Sequence, residues 1–190
     1  MTSSLRSLNS ESRRDHVELK TVQFPLHLVS PQGQLQIHTA SYRGSFSLVL
    51  SEALRAAGLG SNVLVAQFLK GGVNQGPSGG INLCGKLNWI RPNFDFCPSP
   101  LLKKSSIEEE PYNHQAISEV WIFCKEQLKR KKIDRLVLDE IGLACAYGYI
   151  DQNDLITTLS ERPTSTDIIL TGPSISPEII AMADQVTQLR

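Results

Sequence analysis

LQIHTASYRGSFSLVLSEALRAAGLGSNVLVAQFLKGG, residues 35–72, decides the fold. Leu35, Ile37 and Thr39 alternate with more polar neighbours, as a half-buried strand requires. Phe46, Val49, Leu50, Ala53 and Ala57 then recur at offsets of three and four and share one helical face. Gly58 and Gly60 stop that helix. Residues 62–69, NVLVAQFL, are a nearly continuous apolar run, the pattern of a strand covered on both faces. Strand, turn, helix and strand make a βαβ unit. Its turn, TASYRGSFS (39–47), falls where an anion meets a helix N-terminus in such units.

Upstream, residues 1–20 are polar and Ser/Arg-rich without periodicity, which predicts a flexible tail. Val22, Phe24, Leu26 and Leu28 alternate, Pro25 confines that strand to an edge, and residues 30–33 form a turn. An N-terminal edge hairpin leading into the βαβ unit is the expectation.

Downstream, residues 70–82 form a glycine-rich loop at the C-terminal end of a strand. That edge is where open α/β sheets bind ligands, and a plain surface loop is the competing reading. A short strand is expected at 87–90 and irregular chain from 92 to 111. A helix over 113–131 follows, with Ile117, Val120, Trp121, Cys124 and Leu128 on one face. Its closing cations, residues 129–132, suit the helix dipole better than a phosphate site. Residues 133–140 read as an apolar strand ending in two carboxylates, Asp139 and Glu140. Asp151 caps a helix running to Leu159, halted before Arg162-Pro163. DIILT (167–171) is another buried strand, and a last helix starts at Pro177. This alternation predicts an α/β, three-layer sandwich: a mostly parallel sheet with helices on both faces. A single domain over residues 21–190 accounts for it.

At 190 residues the chain is long enough for one sizeable core. Its 19 Lys and Arg balance its 19 Asp and Glu, so there is no broad electrostatic grip on nucleic acid or on an anionic membrane. No apolar run reaches spanning length, and the N-terminus lacks the apolar core of a signal peptide. A cytoplasmic protein is the expectation. Cys84, Cys97, Cys124 and Cys145 are widely spread and read as reduced thiols rather than disulfides or zinc ligands.

A strand ending in Asp139-Glu140 resembles the Walker B element of P-loop proteins, in which the Asp holds Mg²⁺ and the Glu orients water or substrate. The wider pattern is narrower in meaning. VAQFLKG (65–71), LDE (138–140), Arg162-Pro163, LTG (170–172) and ADQVT (183–187) resemble, in order and spacing, the P-loop corrinoid adenosyltransferases of cobalamin assembly. The resemblance runs from about residue 35 to 190.

That resemblance implies a P-loop NTPase-like fold and transfer of the 5′-deoxyadenosyl group of ATP to the reduced cobalt of a corrinoid. It implies ATP and Mg²⁺ as requirements, a corrinoid as substrate, and a homodimer, since family members commonly dimerise. It makes Asp139 and Glu140 the catalytic pair, with Asp139 the Mg²⁺ ligand. It places Thr39, Ser41, Arg43, Gly44, Ser45, Ser47, Gln67, Lys70 and Arg162 at the nucleotide.

The departures lie in the loop. The family reads T-G-N-G-K-G-K-T-T where this chain reads T-A-S-Y-R-G-S-F-S. The motif lysine is Ser45, the Mg²⁺-binding hydroxyl is Phe46, and Ala40 and Tyr42 replace glycines that let backbone N–H groups approach phosphate. Pro173 stands where the family has an arginine. Two lost contacts to charged groups weaken nucleotide affinity by about 3–6 kcal/mol, on the order of 10²–10⁴ in Kd. Arg43 recovers part of that if it folds back over the loop. Two functions stay open: an adenosyltransferase with a weakened ATP site, or a catalytically inactive relative that binds a nucleotide, a corrinoid or a protein partner.

Overall fold

The computed structural model of the protein describes residues 32–44, 46–71, 76–94 and 109–189. Its elements are β1 (Leu35–Ala40), α1 (Ser47–Gly58), β2 (Val63–Gln67), β3 (Ile81–Leu83), β4 (Leu87–Ile90), α2 (Glu109–Lys129), β5 (Arg135–Asp139), α3 (Ile141–Ala146), α4 (Gln152–Ser160), β6 (Asp167–Thr171), α5 (Pro177–Met182) and β7 (Gln185–Leu189). The strands form one sheet in the order β3-β4-β2-β5-β6-β1-β7. Every pairing is parallel except β3 with β4. The predicted α/β architecture holds.

The sheet divides the core in two because strand side chains alternate between faces. On one face Val49, Ala53 and Ala57 of α1 pack on Val63, Val65, Val137 and Ile169. On the other, α2, α3, α4 and α5 cover Leu64, Ala66, Leu136, Leu138, Ile168 and Leu170. The apolar run of β2 is thereby explained residue by residue.

β1 and β2, consecutive in the chain, are not neighbours. β5 and β6 lie between them, so the βαβ unit is a wide crossover. β1 is bordered on both sides, by β6 and by β7. The hairpin expected at residues 22–28 lies outside the described residues, as does the polar tail.

Three elements had no counterpart in the sequence reading. α3 has only six residues and contains Gly142, too short for helical periodicity to register. Gly142 is required there, since a Cβ would stand 2.8 Å from the Pro173 carbonyl oxygen. β3 emerges from the glycine-rich loop and turns back through Cys84 and Gly85, both at positive φ. β7, QVTQL, has no apolar alternation and is held by five register pairs with β1.

Candidate functional site

The parallel register assembles a row of polar side chains at the C-terminal edge of the sheet. Gln67, the last residue of β2, lies opposite Asp139, the last of β5, and Asp139 lies opposite Thr171, the last of β6. Asp139 is buried and both its oxygens are engaged. Oδ1 accepts from the Thr171 hydroxyl. Oδ2 accepts from Gln67 Nε2 at 2.6 Å and from the Lys70 ammonium at 2.8 Å.

Glu140 follows at φ 61, a left-handed conformation that carries the chain from strand into α3. Its backbone N–H donates to the Thr171 carbonyl at 2.9 Å. Gly172, itself at φ 106, passes so close that a Cβ on it would lie 3.0 Å from Glu140 Cα. The Glu140 residue is 0% exposed. Arg43 crosses from the loop after β1 and forks onto its carboxylate: Nε to Oε1 at 2.7 Å and Nη2 to Oε2 at 2.9 Å. The same Nη2 donates to the Leu69 carbonyl at 2.6 Å. Arg43 does fold back, but onto a carboxylate of the chain itself.

Gln67 is 1% exposed and completes the row toward β4. Its Oε1 accepts from the Trp89 indole N–H at 2.9 Å and from Arg91 Nε at 2.8 Å. Arg91 is absent from the residues predicted above because no motif announces it. The signal available was its position, a cation directly after a short strand at the binding edge.

The rest of the predicted loop is less concentrated. Thr39 ends up partly buried in β1, Gly44 is partly buried, and Ser41 and Ser47 are exposed. Ser45 lies outside the described residues. None of residues 41–44 takes a positive φ, so this part of the loop lacks the left-handed step of an anion nest. Phe46 is 6% exposed and packs in the core beneath α1. α1 starts at Ser47 without a side-chain cap. Arg162 is not part of this site. It precedes β6, at the opposite edge of the sheet, where Nη1 donates to the Leu159 carbonyl at 3.0 Å and Nη2 approaches Asp184 at 3.5 Å. There it closes α4.

Comparison with known proteins gives the family. The model of the ATP:corrinoid adenosyltransferase BtuR/CobO/CobP family matches residues 31–190. The chain belongs to this family. It is 30% identical over 162 residues to the corrinoid adenosyltransferase CobA of Salmonella typhimurium, covering 84% of this chain and 77% of that one. It is 29% identical over 160 residues to the corrinoid adenosyltransferase of Escherichia coli K12, with the same coverage. The Pseudomonas aeruginosa corrinoid adenosyltransferase is 24% identical over 161 residues, 83% of this chain and 75% of its own.

In this member of the adenosyltransferase family, Gln67, Lys70 and Asp139 are joined by hydrogen bonds at one sheet edge, with Glu140 held by Arg43 beside them. Among the described residues there is no group of three or more His, Cys, Asp or Glu placed to hold a metal ion. Nor is any described helix long and apolar enough to cross a membrane. Cys84, Cys124 and Cys145 are free thiols. Burial pushes Cys124 well up, and burial, helped by the Asp151 charge, pushes Cys145 up to about 11. Neither is set up as a nucleophile.

Proposed function

We propose that this chain is an adenosyltransferase-family member that binds a ligand at the C-terminal sheet edge and has given up MgATP-dependent adenosyl transfer. One observation carries the reading. Both carboxylates expected to manage Mg²⁺ are satisfied by the chain's own donors, Arg43 on Glu140 and Lys70 on Asp139.

The donor set does not fit a divalent cation. Mg²⁺ binds through one or two carboxylates, water and substrate phosphates. Here each carboxylate oxygen of Asp139 and Glu140 already accepts a hydrogen bond. The hydroxyl that would complete the site is Phe46, which belongs to the core. Binding a cation there means displacing two ion pairs at buried carboxylates, Arg43 from Glu140 and Lys70 from Asp139. The phosphates also lose partners, because Arg43 and Lys70 are each neutralised by a carboxylate of the chain.

The test is direct. Purified protein, reduced corrinoid and MgATP are expected to give no adenosylated corrinoid, while calorimetry with corrinoid, adenosine or a nucleotide gives binding. Adenosylated product at a rate above the protein-free reaction overturns the proposal. A second reading, an active transferase, is supported by the survival of Gln67, Lys70, Asp139 and Glu140 in one cluster. It requires MgATP to pull Arg43 and Lys70 off their carboxylates, and the same assay decides between the two.

A further inference from the structure

We infer that Arg91 is the anion-binding residue of this sheet edge, presenting its guanidinium to a single oxyanion group, phosphate or carboxylate, of a ligand lying across the ends of β2 and β4. Ala66 pairs with Ile90, so Arg91 stands beside Gln67 at the edge where the acidic row ends. Its guanidinium is held in two ways. Nε is fixed by the buried Gln67 oxygen at 2.8 Å, and the guanidinium carbon lies 5.6 Å from the Trp89 ring centroid. Gln67 is itself locked, by the Trp89 indole N–H and by its own bond to Asp139.

Arginine carries five N–H donors in a rigid fork, and here Nε uses one. Among the described residues the terminal amino groups of Arg91 make no hydrogen bond or ion pair. Arg43 and Lys70 nearby each sit on a carboxylate. Among the described residues, the unbalanced positive charge of the cluster is therefore that of Arg91. An arginine there only to satisfy Gln67 would be redundant, since Trp89 already donates to the same oxygen. A pinned plane with its terminal edge unpaired is the geometry that accepts a carboxylate or phosphate bidentately. One net positive charge matches a ligand carrying one or two negative charges and is poorly matched to a triphosphate.

The inference rests on the reading that ligands enter at this edge, and the experiment keeps the two apart. The full chain is titrated calorimetrically in metal-free buffer in two arms. One compares AMP with adenosine, with orthophosphate alongside. The other compares a corrinoid bearing free carboxylate side chains with its fully amidated form. In at least one arm the anionic ligand is expected to bind roughly tenfold or more tighter than its neutral counterpart, the effect of one charge-assisted contact. Arg91→Gln should remove that preference and Arg91→Lys should keep part of it. A split in the first arm identifies phosphate, and a split in the second identifies carboxylate. No preference in either arm, or one that Arg91→Gln leaves intact, overturns the inference. Should Arg91→Gln fail to fold, Arg91→Lys decides: it keeps the charge and loses the fork, so unchanged anion affinity counts against the assignment. Adenosyl transfer from MgATP would sink the proposed function and leave this preference readable.

Discussion

Replacing Arg43 by Met strips Glu140 of its counter-charge. The Glu140 side chain is 1% exposed, and Arg43 bonds both its carboxylate oxygens, at 2.7 and 2.9 Å. Removing one partner of a buried pair costs about 3–5 kcal/mol, because the survivor stays charged and dry. Arg43 is 30% exposed, so water reaches part of the gap and the low end applies, about 3 kcal/mol. For a chain of this size each kcal/mol moves Tm by roughly 2–4 °C, so Arg43→Met should lower Tm by about 6–12 °C. Adding Glu140→Gln removes the buried charge and should recover most of the loss, leaving about 1 kcal/mol and a coupling of about 2 kcal/mol or more, the excess being what Glu140→Gln costs alone. Urea denaturation of wild type, both single variants and the double variant gives the cycle. If Arg43→Met stays within about 1 kcal/mol of wild type, or the double variant is no more stable than it, the pair is not a closed structural element and the reasoning fails.

Three further outcomes follow from the same geometry. Millimolar MgCl₂ at constant ionic strength should leave the wild-type Tm unchanged and raise that of Arg43→Met, whose Glu140 is released; a rise in wild type contradicts the self-neutralised site. Phe46→Thr, meant to restore the hydroxyl of the family loop, should instead cost about 3 kcal/mol by opening a cavity under α1, read by the urea midpoint. Burial holds the His38 imidazole below its ordinary 6.5, so the folded state takes up its proton later than the unfolded chain. Its contribution is complete above about pH 6.5 and is lost as pH falls through its folded value, so His38→Gln should flatten the decline in Tm between about pH 7 and 5. Desolvation pushes Asp154 up, but hydrogen bonds from Lys125 and Trp121 outweigh it and hold the carboxyl low, so its own loss comes near and below about pH 4 and does not blur the comparison.

The sheet was legible because its buried strands and long helices announce themselves by period. β2, β5 and β6 carry near-continuous apolar runs, and Asp151 caps α4 as its position suggests, accepting from the Asn153 and Asp154 amides. Asp139 and Glu140 were readable as a pair at a strand end. Their partners were not, since Arg43 and Glu140 are 97 positions apart and only the strand order brings them together. The sequence offers two readings of position 46, a lost ligand of the loop and the first residue of the apolar face of α1, and the packing of Phe46 into the core bears out the second. Arg91 escapes any window, because its meaning comes from the register between β4 and β2. Arg162 is the opposite case, a family landmark that lies before β6, at the sheet edge away from the Asp139 row.

The placement of β1 has a consequence for the chain as it is made. Leu35 and Ile37 are completely buried, yet the strands flanking them are residues 167–171 and 185–189. A nascent chain on the ribosome thus carries an unmated apolar strand until residues 167–171 have emerged. β2 finds β4 early, so the first half can begin to order while β1 waits. Long-range parallel pairing of this kind closes slowly and leaves a sticky edge on the way. Chains released before residue 167 should aggregate or be degraded, whereas those lacking only the polar strand 185–189 should keep β1 mated on one side.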